Sequence, residues 1–196
     1  MLTQSNYVSE CFEGLALAEK TFDGVSFDNC HFIDCDFSNS RFNGCTLSDC
    51  HFLHCNLNLV HLGYSRFHDV TFDNSKLMGL DWTKVNWPNF QFFSPIKFNQ
   101  CLLSESTFYG LNLKELTLTA CKAHNTDFQN GDFSHSDFGH TDFTGSIFHN
   151  TNIAGVNFCD AVAYDIDIRN NTIKGAKFTR IEALSLLEGL EIELLD

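Results

Sequence analysis

The chain has 196 residues, 43% of them hydrophobic, and a formal net charge of −13, because 25 acidic residues outnumber 12 basic ones. This length suits a single domain with a substantial core, and the acidic balance argues against direct binding to nucleic acid or to an anionic membrane, since both need basic patches. The acidic residues lie in both halves of the chain. A basic partner is the natural alternative to nucleic acid or membrane.

Residues 1–11 contain neither the basic segment nor the apolar segment of a signal peptide. No apolar run approaches the ~18–20 residues that a membrane span needs. We therefore expect a soluble, cytoplasmic protein that does not associate with a membrane. Residues 1–11 are expected to lead into the first repeat.

Most of the chain repeats every five residues. Each unit has a large apolar residue, here termed the central residue, and 19 of the 21 phenylalanines are central residues. One register covers residues 12–87, and a second register, shifted by one residue, covers 93–178 and has Phe93, Ala163 and Ile168 among its central residues. A period of five fits neither a helix nor a straight strand. The chain must therefore turn once per unit to keep these residues inside.

Each unit also has a small inward position and a turn position. The small inward position lies two residues before the central residue, as Cys35 does before Phe37, and residues two apart in an extended segment point the same way. The turn position lies two residues after the central residue and often holds glycine or asparagine, as at Asn39 and Gly145. Both residues tolerate the positive φ of a tight turn. Short strands alternating with turns predict a solenoid whose coils pair in parallel.

A weaker similarity at a spacing of 20 residues indicates four units per coil. It aligns Cys30 with Cys50, and Cys101 with Cys121. About eight coils at roughly 4.8 Å each would make a rod near ~40 Å long. The predicted fold is therefore all-β, a quadrilateral β-helix whose stacked phenylalanines leave no room for a pore.

Residues 80–98 interrupt the repeat. The register shifts by one residue here, and the segment holds Trp82, Trp87, Pro88 and Pro95. Proline cannot donate a ladder hydrogen bond, so the coils should loosen or bend at this point. Two interpretations stay open: a bulge packed by aromatic side chains, or a protrusion that contacts a partner.

The five-residue period ends after Phe178. Thr179 and Glu182 fit a capping box ahead of a short amphipathic helix. Residues 180–196 would then cover the end of the solenoid, whose open ladder would otherwise invite aggregation. This segment either caps the end alone or also pairs two chains, because it carries more apolar side chains than one short helix can hide. The candidate dimer residues are Ile181, Leu184, Leu187, Leu190, Ile192 and Leu194.

Seven of the nine cysteines occupy the small inward position, and we expect reduced thiols in the core of a cytoplasmic protein. Cys11 and Cys159 fall outside this position. Cys11, His31 and His51 should align on one face, but ligands in a parallel row converge poorly on a tetrahedral metal ion. No nucleophile–base motif or phosphate-binding loop is present, so we expect neither enzyme activity nor a bound metal or cofactor.

The aspartates five residues apart, such as Asp132 and Asp137, should surround one coil and serve mainly as a soluble coat. An acidic strip needs a spacing near 20 residues. The candidate partner-binding aspartates are Asp28, Asp49 and Asp69 on one side of the first half, with Asp127 and Asp167, and Asp142 and Asp165, on two sides of the second half. A net charge of −13 on a rod of ~40 Å is roughly half the charge density of duplex DNA.

The units resemble those of the pentapeptide-repeat family, whose consensus places Ala, Cys or Ser first, Asp or Asn second, Leu or Phe third, and two turn residues last. Residues 35–39 (Cys-Asp-Phe-Ser-Asn) and 126–130 (Thr-Asp-Phe-Gln-Asn) follow this order closely. The resemblance covers residues 12–179. It implies the family's right-handed quadrilateral β-helix.

The C-terminal segment resembles that of the subgroup of Qnr, MfpA and the microcin- and albicidin-immunity proteins, with residues 183–187 (Ala-Leu-Ser-Leu-Leu) matching a helix that mediates an end-to-end dimer. The resemblance implies a homodimer that binds DNA gyrase, and in some members topoisomerase IV, as a mimic of duplex DNA. Such binding relieves poisons such as quinolones or peptide antibiotics. Qnr proteins carry two long loops, whereas this chain has only the irregular segment 80–98. The alternative is a scaffold with no topoisomerase role.

Overall fold

The computed structural model describes residues 4–88, 93–190 and 192. Its strands are short and all their pairings are parallel. The strands are β1 Asn6–Val8, β2 Cys11–Glu13, β3 Thr21–Asp23, β4 Ser26–Asp28, β5 His31–Ile33, β6 Arg41–Asn43, β7 Thr46–Ser48, β8 His51–Leu53, β9 Arg66–His68, β10 Val70–Asp73, β11 Ile96–Asn99, β12 Thr117–Thr119, β13 Ile147–Phe148, β14 Asn157–Phe158, β15 Asp165–Ile166 and β16 Lys177–Phe178. Two 3₁₀ helices cover Trp82–Lys84 and Glu182–Leu190.

The coils form a four-sided parallel β-solenoid of about eight turns, which confirms the predicted quadrilateral β-helix. Most pairings join residues 20 apart, as Phe32 with Phe52 and Asp132 with Asn152. We number the four sides by their central residues. Face 1 contains Phe27 and Phe133, face 2 contains Phe32 and Phe98, face 3 contains Phe37 and Phe143, and face 4 contains Phe42 and Phe128.

The core consists of rings stacked along the rod axis. On face 2, the ring of Phe52 lies 4.6 Å from that of Phe32 and 5.0 Å from that of Phe72, both in stacked geometry. On face 4, Trp82, Phe108 and Phe128 continue the same arrangement at 5.7 and 5.3 Å. These rings are fully buried. The predicted axial ladder of aromatic side chains is therefore present.

The turn position takes positive φ in most units, including units where a large residue occupies it. Asn39 and Gly145 follow the sequence expectation, with φ of 56° and 71°. Leu59 and Tyr64 adopt the same conformation, with φ of 58° and 56°, although large side chains disfavour it. The ladder on both sides of each corner therefore imposes the left-handed conformation.

The register shift arises from a single long coil. Val70 pairs with Ile96 and Asp81 with Thr107. The sequence separation between such partners is 26 across this coil and 20 across a regular one. The regular ladder continues up to Asn86, whose N–H donates to Ser65, so the extra length lies after it. The insertion equals one unit plus one residue, which explains why the pattern resumes one position later.

The long coil differs from the sequence expectation in one central residue. Trp82 is buried, and Trp87 is half-buried, with Nε1 donating to the Trp82 carbonyl at 2.9 Å. Pro95 is buried and Pro88 is exposed. Phe93, expected to point inward, is 70% exposed. Residues 89–92, which complete this segment, lie outside the described residues.

A second irregularity overturns two more predicted central residues. Phe148 pairs with Ile166 in the next coil and not with Ile168. Ala163 is exposed, and Tyr164 and Ile166 fill the core in its place. Alanine and the half-buried Ile168 supply less apolar contact than Tyr164 and Ile166, so the register shifts by two positions to bury the larger pair.

The C-terminal helix begins at Glu182, and the predicted capping box does not form. Thr179 Oγ1 instead accepts a hydrogen bond from the Asp160 N–H at 2.6 Å, which ties the last coil to the one before it. Leu186 of this helix is buried and packs on the last coil.

Candidate interaction surface

The ring aspartates close the corners of their coil. Asp127, Asp132 and Asp137 each accept, through Oδ1, a hydrogen bond from the backbone N–H two residues later, at 2.9 to 3.1 Å. Asn152 and Asn157 make the same bond with their amide oxygens. The bond therefore needs an acceptor and not a charge. Sequence reasoning read these aspartates mainly as a soluble coat and missed this role, although Asp or Asn two residues before a turn is its signal.

An acidic strip does form in the first half of the solenoid. Asp49 lies beside Asp69, because the Asp49 N–H donates to the carbonyl of His68 at 2.9 Å. Asp28 lies one coil earlier and pairs with Ser48, the residue before Asp49. All three side chains are exposed at the corner between faces 1 and 2. We call Asp28, Asp49 and Asp69 the acidic corner.

The acidic corner adjoins a shallow groove of about 300 Å³ that also contains Asp73, His51 and Lys97. Lys97 Nζ lies 2.7 Å from Asp69 Oδ1, and His51 Nε2 lies 2.6 Å from Asp73 Oδ2. The acidic pattern in the sequence does not mark Asp73, because the aligned residues of the coils on either side are Leu53 and Asn99. The groove concentrates three carboxylates against one lysine.

The predicted strips of the second half are different in the structure. Asp127 aligns with Ile147, which aligns with Asp165, so Asp165 and not Asp167 belongs to its column. Asp142 aligns with Val162 and has no acidic neighbour in that column among the described residues. The cause is the register shift before Ile166, which breaks the regular spacing of the coils.

Several candidate carboxylates already have a side-chain partner on the rod. Asp167 Oδ2 lies 3.0 Å from Arg169 Nη2, and Asp142 Oδ2 lies 2.8 Å from His124 Nε2. Residues 182–196 contain five acidic and no basic residues, so they carry −5 of the net −13 and the rest of the chain carries −8. The rod itself is less acidic than the whole chain.

The C-terminal apolar residues divide into two groups. Ile181 is 75% exposed, and Leu184 and Ile192 are each 53% exposed. Leu187 and Leu190 are half-buried. Leu194 lies outside the described residues. The exposed group supplies apolar surface in the C-terminal segment, as a pairing surface requires.

The small inward position is a hydrogen-bonding position as well as a packing position. Cys55 Sγ donates to the carbonyl of Phe32 at 3.3 Å, and Ser65 Oγ does the same to Phe42 at 2.8 Å. All nine cysteines are free, with Cys11 exposed and Cys159 half-buried. Burial raises the pKa of the Cys50 thiol to about 12, so this thiol stays protonated. Cysteine here substitutes for serine.

Cys11, His31 and His51 align in one row, as expected. Within residues 4–88, 93–190 and 192, no group of three His, Cys, Asp or Glu side chains is arranged to hold a metal ion. Over the same residues, neither helix combines the length and apolarity needed to cross a membrane.

A four-sided solenoid with five-residue units, a Cys, Ser or Thr at the small inward position and an acceptor at each corner defines a pentapeptide-repeat protein. The chain belongs to the pentapeptide-repeat family: the family model described as a pentapeptide repeat region matches residues 25–94 and 93–178. No curated protein matches the chain significantly.

Solved structures agree over nearly the whole length. A trypsin-treated variant of QnrB1, a plasmid-mediated fluoroquinolone resistance protein, matches with a TM-score of 0.67 and 20% identity, over 97% of this chain and 92% of that one. A second trypsin-treated variant of QnrB1 matches with a TM-score of 0.63, also at 20% identity, over 97% and 100% of the two chains. HetL, involved in heterocyst differentiation regulation in Nostoc sp. strain PCC 7120, matches with a TM-score of 0.50 and 11% identity, over 88% and 84%. At these identities the matches establish the shared fold.

Proposed function

We propose that this protein binds DNA gyrase in the cytoplasm as a mimic of duplex DNA and protects the enzyme from poisons such as quinolones or peptide antibiotics. The observation that carries the proposal is the match to a fluoroquinolone resistance protein over 97% of the chain, on a rod with a net charge of −13. Topoisomerase IV is the second enzyme to test, since the resemblance extends to it.

The acidic corner is the proposed contact with the basic surface of the enzyme. Asp28 and Asp49 have no cation within ion-pairing distance among the described residues, whereas Asp69 pairs with Lys97. Exposed, unpaired carboxylates on successive coils keep their charge for a partner, and complementary charge mainly accelerates association. The C-terminal patch around Ile181 and Leu184 is the proposed homodimer contact.

A supercoiling assay with purified gyrase, with and without a quinolone or a peptide poison, tests the proposal. The protein should inhibit supercoiling or restore it in the presence of the poison. The triple variant Asp28→Asn, Asp49→Asn, Asp69→Asn should raise the protein concentration needed for half-maximal effect about tenfold, because it removes the two unpaired carboxylates of the corner and the paired Asp69. No effect of the wild-type protein on inhibition or rescue at micromolar concentration would refute the proposal.

The matched control is the triple variant Asp127→Asn, Asp132→Asn, Asp137→Asn. It changes the net charge by the same amount, and asparagine keeps the Oδ1 acceptor that closes each corner, as Asn152 and Asn157 already do. The control should change the protein concentration needed for half-maximal effect on gyrase by less than about threefold. Equal losses in both triple variants would show that total charge matters and that the acidic corner has no special role.

The second candidate is an interaction scaffold with no topoisomerase role. The ion pairs at Asp69 and Asp167, and the lower net charge of the rod without residues 182–196, favour it. This candidate would be supported if the protein has a normal fold by circular dichroism but has no effect on gyrase in the supercoiling assay.

A further inference from the structure

A groove crosses face 4 in the first half of the solenoid. Its volume is about 590 Å³, and it runs from the coil of β6 to the 3₁₀ helix Trp82–Lys84. Gly63 lies in its floor, where the two preceding coils carry Asp23 and Asn43. A Cβ at Gly63 would lie 3.5 Å from Asn43 Oδ1, an ordinary contact. Gly63 therefore leaves room in the groove for a side chain that its backbone would accept.

The groove is lined by basic side chains on an otherwise acidic rod. Arg41 and Lys84 line it, together with His61 in the coil between them. Lys84 Nζ lies 3.5 Å from Asp81 Oδ2. Among the described residues, no carboxylate lies within ion-pairing distance of Arg41 or His61. Arg41 therefore keeps all its guanidinium donors for a ligand.

The acidic groups near the groove are already engaged. Asp23 Oδ1 accepts a hydrogen bond from Asn43 Nδ2 at 2.8 Å. Asp81 Oδ1 accepts from the Thr83 N–H at 3.0 Å, while its other oxygen faces Lys84. Neither carboxylate forms an ion pair with Arg41.

One wall of the groove is apolar. Leu59 is 53% exposed. Its Cδ2 would lie only 2.7 Å from a Cβ added at Gly79, so the leucine side chain covers the glycine. Val60 and Leu62 also line the groove, but their side chains are buried in the core, so Leu59 supplies its exposed apolar surface. A groove of this volume, with an apolar wall and a few convergent polar groups, has the composition of a small-molecule site.

We propose that this groove binds a phosphate monoester carried on a planar or apolar body. Arg41 is the phosphate-binding residue, because a free guanidinium presents paired N–H donors that match two phosphate oxygens. His61 lies beside the phosphate, and Leu59 packs against the body. This site is separate from the proposed gyrase contact, which uses the acidic corner between faces 1 and 2.

The charge of the whole rod gives the site an unusual salt dependence. The net charge of −13 repels an anion at long range, and salt screens this repulsion, whereas the short contact with Arg41 is screened less. Binding of the phosphate ester should therefore be nearly insensitive to salt. Binding of a basic enzyme to the acidic corner should weaken with salt. The two functions can thus fail independently.

Titration of the full chain, ¹⁵N-labelled, with adenosine monophosphate, inorganic phosphate and adenosine tests the proposal. Adenosine monophosphate should shift the amide signals of the groove saturably, with a dissociation constant below about 1 mM. Inorganic phosphate and adenosine should each bind at least tenfold more weakly. No saturable shift with adenosine monophosphate would overturn the site, and equal binding of adenosine would overturn the role of Arg41.

Three variants sharpen the test. Arg41→Gln should weaken binding of adenosine monophosphate at least tenfold, and Gly63→Asn should do the same by filling the groove while leaving every charge in place. Arg66→Gln is the matched control, since Arg66 occupies the same position of its unit on face 1 as Arg41 does on face 4. Arg66→Gln should leave binding unchanged. Equal weakening by Arg41→Gln and Arg66→Gln would overturn the proposal, because it would reveal general charge attraction.

Discussion

Ser65→Ala and Ser40→Ala are the same substitution at the same kind of buried position, yet the structure predicts opposite results. Both serines occupy the small inward position and both are fully buried. Ser65 Oγ accepts from the Cys45 N–H at 3.0 Å and donates to the Phe42 carbonyl at 2.8 Å. Ser40 Oγ has no hydrogen-bond partner among the described residues.

The difference arises because the coil has two ways to satisfy the same backbone N–H. The Lys20 N–H, in the coil before Ser40, donates within its own turn to the carbonyl of Leu17. The Cys45 N–H, in the coil before Ser65, donates to the serine hydroxyl instead. The hydroxyl is therefore needed at position 65 and is not needed at position 40.

Ser65→Ala leaves a buried N–H without a partner, which costs about 1–3 kcal/mol of unfolding free energy. For a chain of this size that is a fall in Tm of roughly 2–4 °C per kcal/mol. Ser40→Ala removes a buried, unpaired hydroxyl and should change the unfolding free energy by about 0 to +1 kcal/mol, in the stabilising direction. Urea unfolding followed by tryptophan fluorescence and circular dichroism measures both. Equal destabilisation by the two substitutions would refute the reasoning.

Other predictions concern the corners, acid stability and the chain end. Asp137→Ala should cost about 1 kcal/mol of unfolding free energy. Asp137→Asn should cost less, because the amide oxygen still accepts the 3.1 Å hydrogen bond from the Gly139 N–H. Thermal melts compare the two variants, and equal losses would contradict a capping role. Burial opposes ionisation of Asp132, but hydrogen bonds from Ser134 and Asn152 and the charge of Lys114 outweigh it and hold its carboxyl pKa below the ordinary value. The stability it contributes is present above the unfolded-state pKa of about 4 and is lost as pH falls through the lower folded-state pKa, so Asp132→Asn should flatten the fall of stability in urea titrations below about pH 4. Leu184→Asp should give monomers by light scattering, and an unchanged dimer would remove the C-terminal patch from the proposed interface.

The repeat in the sequence was sufficient to predict the four-sided solenoid, because burial of one phenylalanine per unit tolerates few other arrangements. The residues that failed the prediction share a cause. Phe93, Ala163 and Ile168 lie where the structure departs from the five-residue register, and the spacing in the sequence carries no information about such a departure. The energy gained by burying Tyr164 and Ile166 depends on the neighbouring coil, which the local sequence does not reveal.

The acidic residues illustrate a different limit. Their regular spacing correctly placed Asp49 beside Asp69, but the roles of the carboxylates depend on atoms that the spacing does not specify. Asp132 closes a turn and faces Lys114, whereas Asp49 does neither among the described residues. A count of aspartates therefore overstates the charge that the rod offers to a partner.

The distribution of charge makes the chain end decisive for DNA mimicry. Residues 182–196 carry −5, so a dimer joined at this end would place about −10 near its centre, while the remainder of each chain carries only −8. The variant Glu188→Gln, Glu191→Gln, Glu193→Gln removes three of these charges and leaves every apolar residue of the segment in place. If charge at the centre of the dimer attracts gyrase, this variant should remain a dimer by light scattering. It should need at least about tenfold more protein than the wild type to protect the enzyme. Full protection by the dimeric variant would place the contact on the rod and away from the chain end, and the triple variant of the acidic corner would then test whether that strip supplies it.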